Sequence, residues 1–166
     1  VEAEQKVSDY ETYLRLVSSD GIPQLIINDA LPIIENEVNA VLDHMMAGFQ
    51  LGITNEDKNI NLYIRYDDQE WPLSLSSGME KFVSSLALRV GLINVSNLPS
   101  PNFLVIDEGF GTLDSENLSN MKGAFDYLKT NFQSVFIISH LDTIKDFMDY
   151  LLPINVENER SSIVFS

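Results

Sequence analysis

The spacing of apolar residues changes along the chain, and each change marks an element. Over residues 1–19, Val7, Tyr10, Leu14 and Val17 recur every three or four positions among charged neighbours, which predicts a short amphipathic helix. Asp20-Gly21 interrupts it. Pro23 suits the first turn of a second helix, whose broad apolar face carries Leu25, Ile26, Ile33, Ile34, Val38, Val41, Leu42 and Met45. Pro32 inside that segment predicts a kink or a restart, because proline offers no N–H to the preceding turn. From Phe49 to Tyr66 the period falls to two: Phe49, Leu51 and Ile53 alternate with other residues, 55–59 reads as a turn, and Leu62, Ile64 and Tyr66 alternate again. This is the pattern of a hairpin. The acidic stretch 67–70 and Trp71-Pro72 lead to a serine-rich segment and then a helix over about 79–95, with Phe82, Leu86, Leu88, Val90 and Ile93 among its apolar residues. Residues 103–106 and 135–138 are short continuous apolar runs, as in strands buried on both faces, with a helix at about 115–130 between them. That alternation predicts βαβ units and a parallel sheet. A last helix near 143–147 and two short strands near 150–155 and 162–165 follow.

Composition narrows the class. A chain of 166 residues suits one domain with its own core plus an appendage. At 45% hydrophobic residues it is no disordered or collagen-like chain, and no apolar run approaches the roughly 20 residues of a membrane span, so a soluble globular protein with no membrane partner is expected. Ten basic residues against 25 acidic ones give a formal charge of -15, which argues against a nucleic-acid surface spread over the whole chain. Contact with DNA would come mainly through other segments. The absence of cysteine excludes disulfides, thiolate metal sites and cysteine nucleophiles, and without a signal peptide an intracellular location is expected. Val1 opens within a charged, helix-like stretch, which reads as the start of an excised segment.

Four local features carry chemistry. The apolar run 103–106 delivers Asp107 and Glu108 at its carboxyl end, the edge where open α/β sheets bind ligands. One carboxylate there can hold Mg²⁺ while its neighbour orients and deprotonates an attacking water; the plainer alternative is a strand followed by an acidic loop. Ser76-Ser77-Gly78-Met79-Glu80 stands directly ahead of a helix, where hydroxyls, a glycine and unpaired amides suit a phosphate. Ser77 with Glu80 is equally a capping box. Ser139-His140 ends the second apolar run, and two strands finishing at one sheet edge would bring His140 near Asp107 and Glu108. Gly109-Phe-Gly-Thr-Leu-Asp114 follows the two acids and leads into a helix capped by Asp114 or Ser115. His44 has no such context and is assigned to packing or surface.

In their order along the chain the four features resemble an ABC-type ATPase of the SMC-like group. That family has a signature of the form Leu-Ser-Gly-Gly-Glu opening a helix, a Walker B strand ending Asp-Glu, a D-loop ending Leu-Asp, and a strand ending in a switch histidine. Residues 9–39, with Tyr13-Leu14, Gly21-Ile22-Pro23, Leu31-Pro32, Glu37 and Asn39, resemble the chain leaving the coiled coil in the SbcC-type branch, the ATPase subunit of a DNA double-strand-break nuclease. The resemblance implies an α/β fold, the C-terminal lobe of an ABC-type P-loop ATPase head. It would be a mainly parallel sheet flanked by helices at 47–166, with a helical coiled-coil stub at 1–46. It further implies ATP and Mg²⁺, with Asp107 on the metal, Glu108 on the attacking water and His140 on the γ-phosphate in cis. Ser77, Gly78 and Glu80 belong to the signature that meets the γ-phosphate of a second head, and Asp114 couples the two sites. The implied partners are an N-terminal P-loop lobe, a second copy of the head, a nuclease subunit and DNA. The implied location is the cytoplasm, on the nucleoid, or the nucleus.

Two departures stand beside the resemblance. None of the eight glycines is followed by lysine, so Gly-x-x-x-x-Gly-Lys-[Ser/Thr] is absent. In SMC-like proteins that loop lies at the far end of the polypeptide, beyond a long coiled coil, so this chain alone is expected to be inactive. Met79 also takes the place of the second signature glycine when the motif is aligned on Glu80; aligned on Leu75, Ser76 takes the serine position instead. The Glu80-Lys81-Phe82 continuation favours the first alignment. A non-catalytic or slowly hydrolysing clamp that organises DNA is the alternative function. A free-standing nuclease built on Asp107 and Glu108 lacks further acids at ligand spacing.

Overall fold

Helices α1 (Glu2–Val17) and α2 (Ile22–His44) are joined by a turn at 18–21. That turn is tight enough to require glycine: a Cβ on Gly21 would run into the carbonyl oxygens of Arg15 and Leu16. The computed structural model describes residues 2–45, 47–56, 59–110, 121–157 and 160–163. They form two units, Val1–Pro101 and Asn102–Ser166.

In the first unit α2 runs unbroken through Pro32, so the restart expected there does not occur. Proline removes the bond to the Asn28 carbonyl, but the helix beyond is held by burial of Val38, Val41, Leu42 and Met45. The apolar face of α2 is covered only in its C-terminal part. Leu25, Ile26 and Ile33 remain exposed, as do Val7, Tyr10, Leu14 and Val17 on α1.

Strands β1 (Gln50–Glu56) and β2 (Asn59–Tyr66) form the expected antiparallel hairpin, with Leu51 opposite Ile64 and Glu56 opposite Asn59. A third strand, β3 (Gln69–Pro72), follows where the sequence suggested only an acidic link. Asp67 takes a positive φ of 46° in the two-residue turn, and β3 pairs back on β2 with Ile64 opposite Trp71. A single 3₁₀ turn at Leu73–Leu75 then leads into α3 (Gly78–Val95).

The core of this unit joins α2, the sheet and α3 through Val38, Leu42, Leu51, Ile64, Val83, Ala87 and Val90. Helices α2 and α3 meet closely at Gly91, where an added Cβ would lie 2.8 Å from Val38 Cγ2 and 3.2 Å from its backbone nitrogen. The edge strand β1 is closed by α2. Asn39 accepts from the Leu51 N–H at 2.7 Å and donates to the Leu51 carbonyl at 2.9 Å, and Glu35 accepts from the Ile53 N–H at 2.7 Å.

In the second unit β4 (Phe103–Asp107) and β5 (Ser134–Ile138) are parallel and in register, with Asp107 opposite Ile138. Helix α4 (Lys122–Asn131) supplies the crossover and packs against the pair. Its buried Ala124, Phe125 and Leu128 join Ile106, Phe110, Met121, Phe132 and Ile144 in a separate core. The start expected for this helix near 115 lies outside the described residues. Burial on both strand faces is not found. Phe103, Val105, Phe136 and Ile138 are about half exposed, because α4 covers one side of the pair and no described element of this unit covers the other. The helix expected at 143–147 is a 3₁₀ segment, Asp142–Phe147, too short for a stable α-helix. Strands β6 (Ile154–Glu157) and β7 (Arg160–Ile163) form a terminal hairpin. The parallel sheet is therefore small, and the other described strands pair antiparallel.

The contact at Gly91 yields a stability prediction. Gly91→Val should push α2 from α3 and lower the stability of the chain by about 1–3 kcal/mol, despite the gain in helix propensity over glycine. A urea midpoint equal to that of the wild type would show that the two helices do not meet there.

Candidate functional site

The turn ahead of α3 folds as a complete capping box. The Ser77 side chain accepts the Glu80 N–H at 3.2 Å, and the Glu80 carboxylate accepts the Ser77 N–H at 2.6 Å. The second Glu80 oxygen accepts the phenolic hydroxyl of Tyr66, on β2, at 2.7 Å. Burial pushes the Glu80 pKa up, but the bonds from Tyr66 and Ser77 outweigh it and hold this carboxyl below its ordinary value. Tyr66 is displaced upward, by burial first and by the carboxylate next to it.

Of the two serines considered for the signature, Ser77 is exposed and Ser76 is 8% exposed, with its hydroxyl lacking a protein partner. Ser77 accepts the Glu80 N–H with a lone pair, and its hydroxyl also lies within hydrogen-bonding reach of the Glu80 carboxylate. The Gly78 and Met79 amides belong to the first turn, where a helix has no carbonyl to offer them. The structural and the anion-binding readings of this turn are thus compatible: the closed cap still leaves the amides of Gly78 and Met79 without an intrahelical acceptor.

At the carboxyl edge of the parallel pair, the Glu108 N–H extends the ladder by donating to the Ile138 carbonyl at 2.9 Å. Glu108 itself takes φ of 49°, a left-handed conformation that costs a side-chain-bearing residue on the order of 1 kcal/mol. Across the edge, Ser139 Oγ accepts the Leu141 N–H at 3.1 Å, bending the chain just after β5. His140 then places Nδ1 3.3 Å from Glu108 Oε1, with the two side chains 72% and 63% exposed. An ion pair this open adds little stability, roughly 0–1 kcal/mol, so stability does not account for the strained backbone beneath it. Asp107 stands beside it, exposed, on the last residue of β4.

The edge thus brings together His140 and Glu108, as the sequence reading expected, with Asp107 adjoining. Asp114 lies outside the described residues. His44 is exposed and its Nδ1 lies 2.6 Å from the Ala40 carbonyl, in keeping with a surface role. Among the described residues no group of three or more His, Asp or Glu side chains forms a ready metal cage. Tyr66 was missed as a site residue: its alternation with Ile64 marks a strand, and nothing in the sequence shows that its hydroxyl reaches Glu80.

These elements, in this order, define an SMC-like ABC ATPase head with similarity to SbcC: the structural neighbours are SMC head domains and an SbcC nuclease component is a homologue. The SbcC component of the SbcCD nuclease of Staphylococcus aureus is 34% identical over 157 residues, covering 92% of this chain and 14% of the relative. An uncharacterised protein, R555 of Acanthamoeba polyphaga mimivirus, is 34% identical over 176 residues, covering 96% of this chain and 13% of its own length. The chain therefore spans about one-seventh of the curated relatives it matches. The SMC head domain of Thermotoga maritima superposes with a TM-score of 0.60 at 26% identity, over 83% of this chain and 49% of that one. An SMC ATPase solved in work on ATP-driven dimerization and DNA-stimulated activation gives 0.66 at 13% identity, over 84% and 86% of the two chains. No protein-family model matches the chain. No described helix is long and apolar enough to cross a membrane.

The cap carries its own pH dependence. A carboxyl whose pKa is lowered by folding contributes stability that is present above its unfolded value, about 4.3, and is lost as the pH falls through the lower folded value. Glu80→Gln should therefore cost about 1 kcal/mol at pH 7 and less at an acid pH below the lowered folded value, where the wild-type carboxyl is also neutral. Urea midpoints of the two proteins that differ equally at both pH values would contradict this.

Proposed function

We propose that this chain is the C-terminal part of an ATPase head that dimerises on ATP and hydrolyses it to drive DNA end processing with a nuclease partner. The observation that carries the proposal is the meeting of Glu108 and His140, 3.3 Å apart, at the edge of the parallel pair beside Asp107. In this reading 1–46 is the coiled-coil base and 47–166 the ATPase lobe, working inside the cell on the nucleoid or in the nucleus. Its exposed apolar residues on α1 and the first turns of α2 are suited to a second coil strand. The outer face of β4 and β5 is suited to the P-loop lobe.

The donor set fits Mg²⁺. Asp107 offers a hard carboxylate oxygen, and with no cage of protein ligands among the described residues the remaining positions fall to water and phosphate oxygens. Bound there, the ion would neutralise charge on the phosphates. Glu108 takes the proton of the attacking water, its carboxylate held beside His140 above a left-handed backbone. With a proton on each ring nitrogen, His140 can donate one N–H to Glu108 and the other to the γ-phosphate. Ser77 and Gly78 serve the nucleotide of the opposite head, through the exposed serine side chain and the amides at the start of α3 that have no intrahelical acceptor. Asp114 is assigned to communication between the two composite sites. The alternative, a clamp that binds without turnover, draws on Met79 in the signature, although the cap around it closes with Met79 in place.

Two substitutions in the head completed by a P-loop lobe test the assignment. Glu108→Gln should keep ATP binding and hold the dimer closed, while hydrolysis falls by about 10²–10⁴, the usual worth of a general base. Phosphate release at the wild-type rate would remove Glu108 from the mechanism. Ser77→Arg should leave each head able to bind ATP and abolish the ATP-dependent dimer seen by light scattering, because the long side chain fills the space meant for the partner's phosphate. Loss of ATP binding by the separate head would mean that this serine acts in cis.

A further inference from the structure

We propose that Tyr66 is a positioning residue for the signature turn: its phenol holds the Glu80 carboxylate in the cap and so fixes the direction in which Ser77 is presented to a phosphate. The inference rests on the signature reading above. A capping box by itself is local, since Ser77 and Glu80 secure only each other and can move together with the first turn of the helix. Here the same carboxylate accepts Ser77 N–H at 2.6 Å through one oxygen and Tyr66 Oη at 2.7 Å through the other, which ties the turn to a different element, strand β2.

Tyr66 is well placed to act as the fixed end of this tie. Its ring stacks on Trp71 of β3 at 5.5 Å between centroids, with planes 19° apart, and meets the buried Phe49 at 5.7 Å. The phenol therefore has little freedom beyond rotation of its O–H. Helices α2 and α4 begin without any side-chain cap, at Gly21 and Met121 respectively. Only at α3, of these three, does the sequence provide both a box and an external donor, and this is the helix whose start the proposed reaction uses. Because both Glu80 oxygens are engaged, its carboxylate is turned inward. Ser77 is left as the exposed polar group of the pair.

Tyr66→Phe tests the idea cleanly, since it keeps the ring and both aromatic contacts and deletes only the hydroxyl. In the complete head, hydrogen exchange at the Ser77 and Glu80 amides should quicken by about tenfold, the scale of one bond to a charged acceptor discounted for partial exposure. The ATP concentration for half-maximal dimerisation should rise by a similar factor. ATP binding by the separate head and the melting temperature should stay near wild type, which a loss of general packing would not allow. Unchanged exchange at these amides overturns the proposal, and so does faster exchange with unaltered dimerisation. If Ser77→Arg leaves dimerisation intact, the signature reading itself fails, and the exchange rates still decide whether Tyr66 holds the turn.

Discussion

Strand β1 lies at the edge of its sheet, and its outward backbone groups have no neighbouring strand to pair with. Unsatisfied, they would each cost on the order of 1–3 kcal/mol where the strand is buried, and they would invite another chain to pair. Helix α2 removes both liabilities by using Asn39 and Glu35, one turn apart on one helix face, as a substitute strand for Leu51 and Ile53. Glu35 also receives Arg65 of β2 at 2.9 Å, so the same carboxylate fastens the second strand. Everything the first unit presents depends on this seam. It sets the sheet against the helix, the sheet carries Tyr66, and Tyr66 reaches the turn at Ser77.

The second unit solves a different problem, that of holding polar side chains at the end of an apolar strand. Parallel pairing puts Asp107 and Ile138 level, so the residues that follow each strand emerge side by side. The chain must then turn sharply at Glu108 to bring its carboxylate over to His140, and a positive φ at a glutamate is the result. Gly109, directly after it, would accept that conformation at no steric cost. A strained glutamate in front of an unstrained glycine is stability yielded to hold one carboxylate against His140.

Much of this organisation was legible in the sequence because it rests on periodicity. The alternation Leu51, Ile53, Leu62, Ile64 gave the hairpin, the runs at 103–106 and 135–138 gave the parallel pair, and two strands ending at one sheet edge placed His140 near Glu108. What stayed hidden depends on three-dimensional juxtaposition. Gln69–Pro72 is too polar and too short to read as a strand, and becomes one only because Asp67 turns the chain back on β2. The one-sided burial of β4 and β5 cannot be read from an apolar run, which looks the same whether one face or both are covered. Nor could a local pattern reveal that the helix would tolerate Pro32, since its continuity comes from core contacts made further along.

The half-exposed side chains Phe103, Val105, Phe136 and Ile138 form a flat apolar plate on a two-stranded sheet with both edges open among the described residues. Such a plate is adhesive toward any similar surface, including its own copy. What opposes self-association is the chain's formal charge of -15, a repulsion that acts over a distance set by ionic strength and fades to a few ångströms in concentrated salt. The acidity that first argued against a nucleic-acid surface thus has a colloidal role as well: it works against one chain satisfying its open sheet with another.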